Sequence, residues 1–186
     1  AESESLEIEI ASPPTITTQP HTTTVCEGDS VIFNVEAEGD YLYYIWSKNG
    51  AIIPTAQTSS LEIIDIAYPH TDYYSVNVYN ICNTEGVISN TVYITVNTEP
   101  TITGQPLDQI MCETEATTIY ASGYSTTDVN YQWYNTDTGL IPNANLDSLV
   151  IAVVEGVSTG YYFEISNLCG TVESDIAEIY GKESPS

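Results

Sequence analysis

The sequence contains no arginine and only two lysines, Lys48 and Lys182, against 26 aspartates and glutamates, giving a formal net charge of −24. Without cations to release counterions from phosphates, ordinary nucleic-acid binding is excluded. Attraction to anionic membrane surfaces is excluded for the same reason. Two lysines cannot organise a fold through ion pairs, so self-repulsion has to be tolerated or screened by solvent cations. Trypsin-like proteases would find almost nothing to cut, which suits a chain exposed outside a cell. No apolar run approaches the roughly 20 residues that span a bilayer, and no signal peptide is visible. The two histidines, His21 and His70, each sit beside a proline in a turn-like context and read as surface residues. Gly-x-Ser-x-Gly, His-Glu-x-x-His and phosphate-cradling glycine loops are all missing. Nothing singles out a carboxylate pair for glycoside hydrolysis. The chain therefore reads as non-enzymatic, with no cofactor and no identified metal ligands. There is also no Asn-x-Ser/Thr sequon.

What is present is a repeat. Pro14-Thr15-Ile16-Thr17 and Gln19-Pro20 return 86 residues later as Pro100-Thr101-Ile102-Thr103 and Gln105-Pro106. Cys26 returns as Cys112 at the same offset; Trp46 returns as Trp133 and Cys82 as Cys169, each 87 later. A fixed period with a Cys…Trp…Cys order in each copy indicates two tandem domains of one kind. The expected boundaries are residues 13–97 and 98–182, with a segment at 1–12 and a tail at 183–186. Four cysteines at matching places suggest disulfides and an oxidising, extracellular compartment.

Helical periodicity is hard to find, whereas period-two alternation rich in Val, Ile, Thr and Tyr runs throughout. It predicts strands near 15–18, 30–37, 42–47, 60–65, 73–79 and 90–96. The second copy gives 101–103, 116–121, 129–134, 147–152, 161–166 and 175–180. Asp40 and Asn49-Gly50 fall in turns. Six or seven short strands per copy, with turns every 8–12 residues, make a β-sandwich. Trp46 and Trp133 lie mid-strand with apolar neighbours and are expected in the core. The segment Leu6-Glu7-Ile8-Glu9-Ile10 alternates like the closing strands of both copies. It reads as an extra N-terminal strand over residues 5–11 that belongs to, or completes, the sheet of a preceding module or molecule. Leu6, Ile8 and Ile10 would carry that contact.

These residues resemble the immunoglobulin-like superfamily. Gly28-Asp29-Ser30-Val31-Ile32-Phe33 is similar to the start of its B strand. Tyr44-Ile45-Trp46 and Tyr131-Gln132-Trp133 resemble the C strand with its core tryptophan. Ser60-Leu61-Glu62-Ile63 and Ser148-Leu149-Val150-Ile151 resemble strand E. Tyr74-Ser75-Val76 and Tyr161-Tyr162-Phe163 resemble strand F and its tyrosine corner, which places Tyr74 and Tyr161 in the core. Val25-Cys26-Glu27-Gly28 with Asn80-Ile81-Cys82 is similar to tandem repeats of secreted and cell-surface proteins of the Bacteroidota. The resemblance covers nearly the whole chain and implies an all-β fold, two tandem immunoglobulin-like sandwiches end to end.

It also implies a departure from the family pattern. Val35 and Val76 stand where a vertebrate immunoglobulin domain carries its core disulfide. In that topology Cys26, before strand B, and Cys82, after strand F, lie at opposite ends of the sandwich. At about 3.3 Å per strand residue the gap exceeds roughly 20 Å, against the ~7 Å between Cα atoms that a disulfide tolerates. In a head-to-tail array Cys26 would face Cys169, leaving Cys82 and Cys112 for neighbouring modules. Intradomain bonds and free thiols remain alternatives.

Three functions compete. The first is a structural protein, a repeat segment of a surface adhesin or the subunit of a filament built head to tail, partnered by copies of itself or by similar modules. The second is a carbohydrate-binding or spacer module of a secreted enzyme, in which exposed Tyr41, Tyr43, Tyr68 and Tyr134 would stack on a glycan. The third is a Ca²⁺-dependent adhesion module, with acidic residues converging near 97–101. Asp29-Ser30-Val31 and Asp147-Ser148-Leu149 also match the short pattern that carries O-glycans in Bacteroidota, which marks Ser30 and Ser148. The tandem repeat, the spare strand and the displaced cysteines favour the first.

Overall fold

A computed structural model of the chain describes residues 10–112 and 116–182, which form strands and turns with no helix among them. The chain divides into two compact units, Ala1–Val96 and Asn97–Ser186. The strands of the first are β1 (Thr15–Thr18), β2 (Thr23–Cys26), β3 (Val31–Asn34), β4 (Glu36–Glu38), β5 (Tyr43–Lys48), β6 (Ala51–Ile52), β7 (Ser60–Ile63), β8 (Tyr73–Asn80), β9 (Asn83–Ile88) and β10 (Val92–Asn97). Those of the second are β11 (Thr101–Gly104), β12 (Gln109–Cys112), β13 (Ala116–Tyr120), β14 (Ser122–Tyr124), β15 (Asn130–Asn135), β16 (Gly139–Leu140), β17 (Ser148–Ala152), β18 (Ser158–Asn167), β19 (Gly170–Glu173) and β20 (Ala177–Lys182).

Each unit pairs its strands the same way. In the first, β1 joins β4 and β3 joins β7, while β2-β10-β8-β5-β6 form the facing sheet with β9 also on β8. In the second, β11 joins β14 and β13 joins β17, opposite β12-β20-β18-β15-β16 with β19 on β18. The β12–β20 pair is parallel; the β15–β18 and β18–β20 pairs are antiparallel. These are two tandem immunoglobulin-like sandwiches, all-β.

The repeated Gln-Pro dipeptides explain how the first strand serves both sheets. Pro20 lies between β1 and β2, and Pro106 between β11 and β12. A proline offers no N–H to a ladder, so pairing stops there and the chain crosses to the other sheet. The glutamine beside it closes another gap. Ser89 and Ser174 interrupt the last strand, and each serine Oγ accepts from a backbone N–H of the adjacent strand, Val76 at 3.0 Å and Phe163 at 2.8 Å. The next N–H, of Asn90 or Asp175, donates to Gln19 or Gln105 Oε1, at 2.8 Å in both units. A kinked strand thus keeps its buried polar groups paired.

The stretch expected as one strand at 30–37 is two segments split at Val35, because β3 pairs with β7 and β4 with β1. Short β2, β6, β9 and their counterparts β12, β16, β19 add strands beyond the expected set, since two to six residues carry too little alternation to stand out. Asn49 and Gly50 both have positive φ, 52° and 79°, and join β5 to β6. That two-residue turn matches the strand twist and favours Asn-Gly.

Alternation builds the core. On β8, Tyr74, Val76, Val78 and Asn80 are buried, and on β10 so are Val92, Ile94 and Val96. Trp46 and Trp133 have no exposed surface at all. Trp46 packs on Phe33 with ring centroids 6.4 Å apart, and Trp133 on Phe163 at 5.1 Å. Each indole N–H finds a carbonyl, Thr58 at 3.0 Å and Leu146 at 2.9 Å, so burying the ring leaves no polar atom unpaired. Val35 and Val76 are core residues of the first unit, and Ala121 and Phe163 hold the corresponding places in the second. Apolar packing occupies the positions where a vertebrate domain has its bridge.

Trp46→Ala and Trp133→Ala should each destabilise their own unit by about 3–5 kcal/mol. Chemical denaturation of each variant followed by far-ultraviolet circular dichroism checks this; a transition unchanged from the parent would contradict the burial described.

Candidate functional site

Open clefts lie beside Asp137 and Thr159, beside Leu107, Tyr120 and Asp147, and beside Pro142 and Leu146; the first two each hold a single carboxylate and the third none. A glycosidase needs two flanking the scissile bond. His21 is exposed. His70 is half-buried, stacks on Tyr74 with ring centroids 6.1 Å apart, and places Nε2 3.3 Å from the Tyr74 hydroxyl. Lys48 Nζ reaches Asp72 at 2.6 Å, and Asn49 Nδ2 donates to the same carboxylate at 2.7 Å. The Lys48 hydrogen bond holds Asp72 below the usual carboxylate range and raises Lys48 above the usual lysine value. Burial pushes the Tyr74 hydroxyl up. The histidine belongs to a structural cluster at one end of a sheet.

A different arrangement recurs in both units, where the chain enters each sandwich. Asn80 ends β8 and is buried. Its Nδ2 donates to the carbonyls of Ser12 at 2.7 Å and Asp40 at 2.8 Å. Its Oδ1 accepts from Cys82 and Asn83 N–H, both at 3.0 Å. All four hydrogen bonds an amide can make are used. Asn167, 87 residues on, ends β18 and does the same. Its Nδ2 donates to Thr98 carbonyl at 2.8 Å and Ser125 Oγ at 2.9 Å, and its Oδ1 accepts from Cys169 N–H at 2.7 Å and Gly170 N–H at 3.1 Å. Even the incoming backbone N–H is capped alike, Ser12 by Asp40 Oδ2 at 2.8 Å and Thr98 by Thr126 Oγ1 at 3.1 Å. One side chain therefore fixes both the incoming chain and the turn that carries a cysteine. Sequence reasoning singled out the cysteines and passed over the asparagines two residues before them. The repeat offset was the signal that could have found them.

The four cysteines divide. Cys26 and Cys169 are disulfide-bonded, and Cys82 and Cys112 are free and exposed. Cys26 is thus not bonded to Cys82, nor Cys169 to Cys112, so neither unit holds an intradomain bridge. Cys82 Sγ donates to Ala11 carbonyl at 3.3 Å. Beside the free and the bonded turn cysteine stand Ile81 and Leu168, 72% and 88% exposed.

Of the expected assembly strand, Leu6 and Ile8 lie outside the described residues. Ile10 is 87% exposed and not in a strand, whereas Val96, its counterpart 86 residues later, is buried in β10. Tyr74 is buried and Tyr161 half-buried. Ser30 is exposed just before β3, and Ser148 is half-buried as the first residue of β17. Tyr43 and Tyr134 stack on their cross-strand partners Tyr79 and Tyr162, with centroids 5.5 and 4.9 Å apart. A ring stacked this way gives one face to its neighbour, as cross-strand pairs do. Tyr41 and Tyr68 are exposed. Among the described residues no three His, Cys, Asp or Glu side chains are grouped to hold a metal ion, and no helix is long and apolar enough to cross a membrane.

The fold defined by this geometry is a pair of tandem immunoglobulin-like sandwiches. No family model matches the sequence. Over 79 residues the chain is 37% identical to Kin of IRRE-like protein 1 of Rattus norvegicus, a match covering 41% of this chain and 10% of that protein. The chain thus spans about a tenth of the length of that relative. Among solved structures, the I-band fragment I67–I69 of titin matches with a TM-score of 0.76 at 16% identity, over 92% of this chain and 66% of that one. Drosophila OTK extracellular domains 3–5 match with a TM-score of 0.59 at 15% identity, over 95% of this chain and 64% of that one. At these identities the likeness is one of fold.

Asn80→Ala should remove the partner of two part-buried carbonyls and two turn N–H groups, at about 0.5–1.5 kcal/mol for each hydrogen bond lost. Hydrogen exchange should show faster opening at residues 11–12 and 81–83 than in β8; equal protection in variant and parent would contradict the clamp. The Lys48–Asp72 pair is exposed, so Lys48→Met should cost under about 1 kcal/mol at pH 7. Because folding lowers the Asp72 pKa, its contribution is complete above about pH 4 and fades as pH falls through the folded value. Because folding raises the Lys48 pKa, its contribution is lost as pH rises through that value. The stability difference between parent and Lys48→Met should therefore narrow below about pH 4, which melting curves across pH will check.

Proposed function

We propose that the chain is a non-enzymatic, extracellular structural protein of the kind found in tandem repeats of Bacteroidota surface proteins. It serves as a repeat segment of an adhesin, or as the subunit of a filament whose modules follow one another in series. The observation that carries this reading is the asparagine clamp. Ser12 is held by the first unit as Thr98 is held by the second, so the first unit receives its incoming chain in the way a unit that follows a similar module does. Leu6, Ile8 and Ile10 stand one repeat before Val92, Ile94 and Val96, three core residues of β10. On this reading residues 5–11, from their sequence alternation alone, belong to or complete the sheet of a neighbouring module or molecule. Both described units already contain their own last strand, β10 and β20, so such a strand adds to a sheet edge or belongs to a further module. The absence of arginine, the two lysines and the disulfide suit a protein that works outside the cell.

Electron microscopy of the intact chain and of a chain lacking residues 1–11 tests the reading. The intact chain should form serial, end-joined polymers and the truncated one should not. Polymers of unchanged form after truncation would remove the strand from the assembly, and an intact chain that stays monomeric at high concentration would remove the filament.

A further inference from the structure

Each unit carries two cysteines, and each uses one. In the first unit Cys26 is bonded and Cys82 free; in the second Cys169 is bonded and Cys112 free. The vacant positions are complementary. Cys82 occupies the repeat position of bonded Cys169, and Cys112 occupies that of bonded Cys26. Both positions are therefore shown by this same fold to take a disulfide. The backbone around Cys82 is set as it is around Cys169, with an asparagine Oδ1 accepting the cysteine N–H at 3.0 and 2.7 Å. The two bonded cysteines are half-buried, while the two free ones are exposed.

We propose that Cys82 of one copy and Cys112 of a second copy form an intermolecular disulfide that joins copies in series. The inference rests on the serial assembly proposed above and names its covalent link. A second copy is the partner because Cys82 and Cys112 of one chain are both free rather than joined to each other. A row of copies consumes both and leaves one Cys82 and one Cys112 at its ends, so the contact extends without closing. The chemistry is thiol–disulfide exchange with a small-molecule disulfide as oxidant. The Cys82 thiolate attacks one sulfur of the oxidant, forming a mixed disulfide and releasing one small thiol. The Cys112 thiolate of the second copy then attacks the Cys82 sulfur and expels the second small thiol. Two protein thiols are oxidised, one small disulfide is reduced, and the two protons leave on the small thiols. Because each copy carries a net charge of −24, the encounter is opposed by like charge and helped by salt.

The test uses the intact chain with oxidised glutathione. The parent should give a ladder of oligomers on a non-reducing gel that collapses on reduction, faster at 150 mM than at 10 mM salt (roughly the range over which the Debye length falls from 30 to 8 Å). Cys82→Ser and Cys112→Ser should each stay monomeric alone. Their equimolar mixture should give a dimer and stop there, and peptide mapping of that dimer should return Cys82 joined to Cys112. Homodimers of either single variant, formed as fast as the parent ladder, would overturn the proposal, as would parent thiols that oxidise without a ladder. Microscopy under reductant separates the two ideas. Serial polymers in a chain that never gives the ladder would leave the proposed function standing and end this inference; absence of both would end both.

Discussion

With 26 carboxylates and two lysines, this fold cannot be held by opposite charge. What fixes it is chiefly apolar burial and hydrogen bonds to neutral groups, with a disulfide and a few carboxylates that accept from N–H donors. The structure follows that constraint closely. The core is built on one fully buried tryptophan per unit, and each indole N–H is paired with a carbonyl. The polar devices that recur are amides and hydroxyls: Gln19 and Gln105 at the sheet switch, Ser89 and Ser174 at the strand kink, Asn80 and Asn167 at the clamp. A carboxylate in the clamp position could accept from the turn but could not donate to the incoming carbonyls, and it would add buried charge to a chain already repelling itself.

The two units keep this hydrogen-bond grammar while their packing differs. Val35 and Val76 in one correspond to Ala121 and Phe163 in the other, so a larger ring offsets a smaller neighbour where a vertebrate domain has a disulfide. The turn after the tryptophan strand differs as well. Asn49-Gly50 joins β5 to β6 in two residues, whereas Thr136, Asp137 and Thr138 lie between β15 and β16. Cores tolerate such exchanges when volume is preserved. A buried amide with four partners is less tolerant, because any change removes four hydrogen bonds at once. The clamp is therefore the feature that makes both units receive their chain alike, and the serial reading of the protein depends on it.

The bonded and free cysteines extend the same logic to covalent chemistry. Each turn cysteine is displayed by an asparagine that also grips the incoming segment, so the position of the sulfur and the path of the chain are set together. Tyr43 with Tyr79, Tyr73 with Tyr93 and Tyr134 with Tyr162 pair across strands, and His70 stacks on Tyr74.

By itself the sequence determined the two-fold repeat, the sandwich class and the buried tryptophans. These follow from offsets, alternation and composition, which are local or additive properties. Strands β5, β8, β15 and β18 were legible because they hold a tryptophan or a run of tyrosine and β-branched residues, which β9 lacks. Only the tertiary structure decided that 30–37 breaks at Val35, that Pro20 and Pro106 mark a change of sheet, and that β2, β9, β12 and β19 exist as strands. A strand's partner lies far along the chain, and short segments owe their conformation to that partner rather than to their own residues. The same reason hid Asn80 and Asn167: their partners at Ser12 and Thr98 are 68 and 69 residues away. It also kept open which cysteines are bonded, since spacing in sequence says nothing of where two sulfur atoms meet.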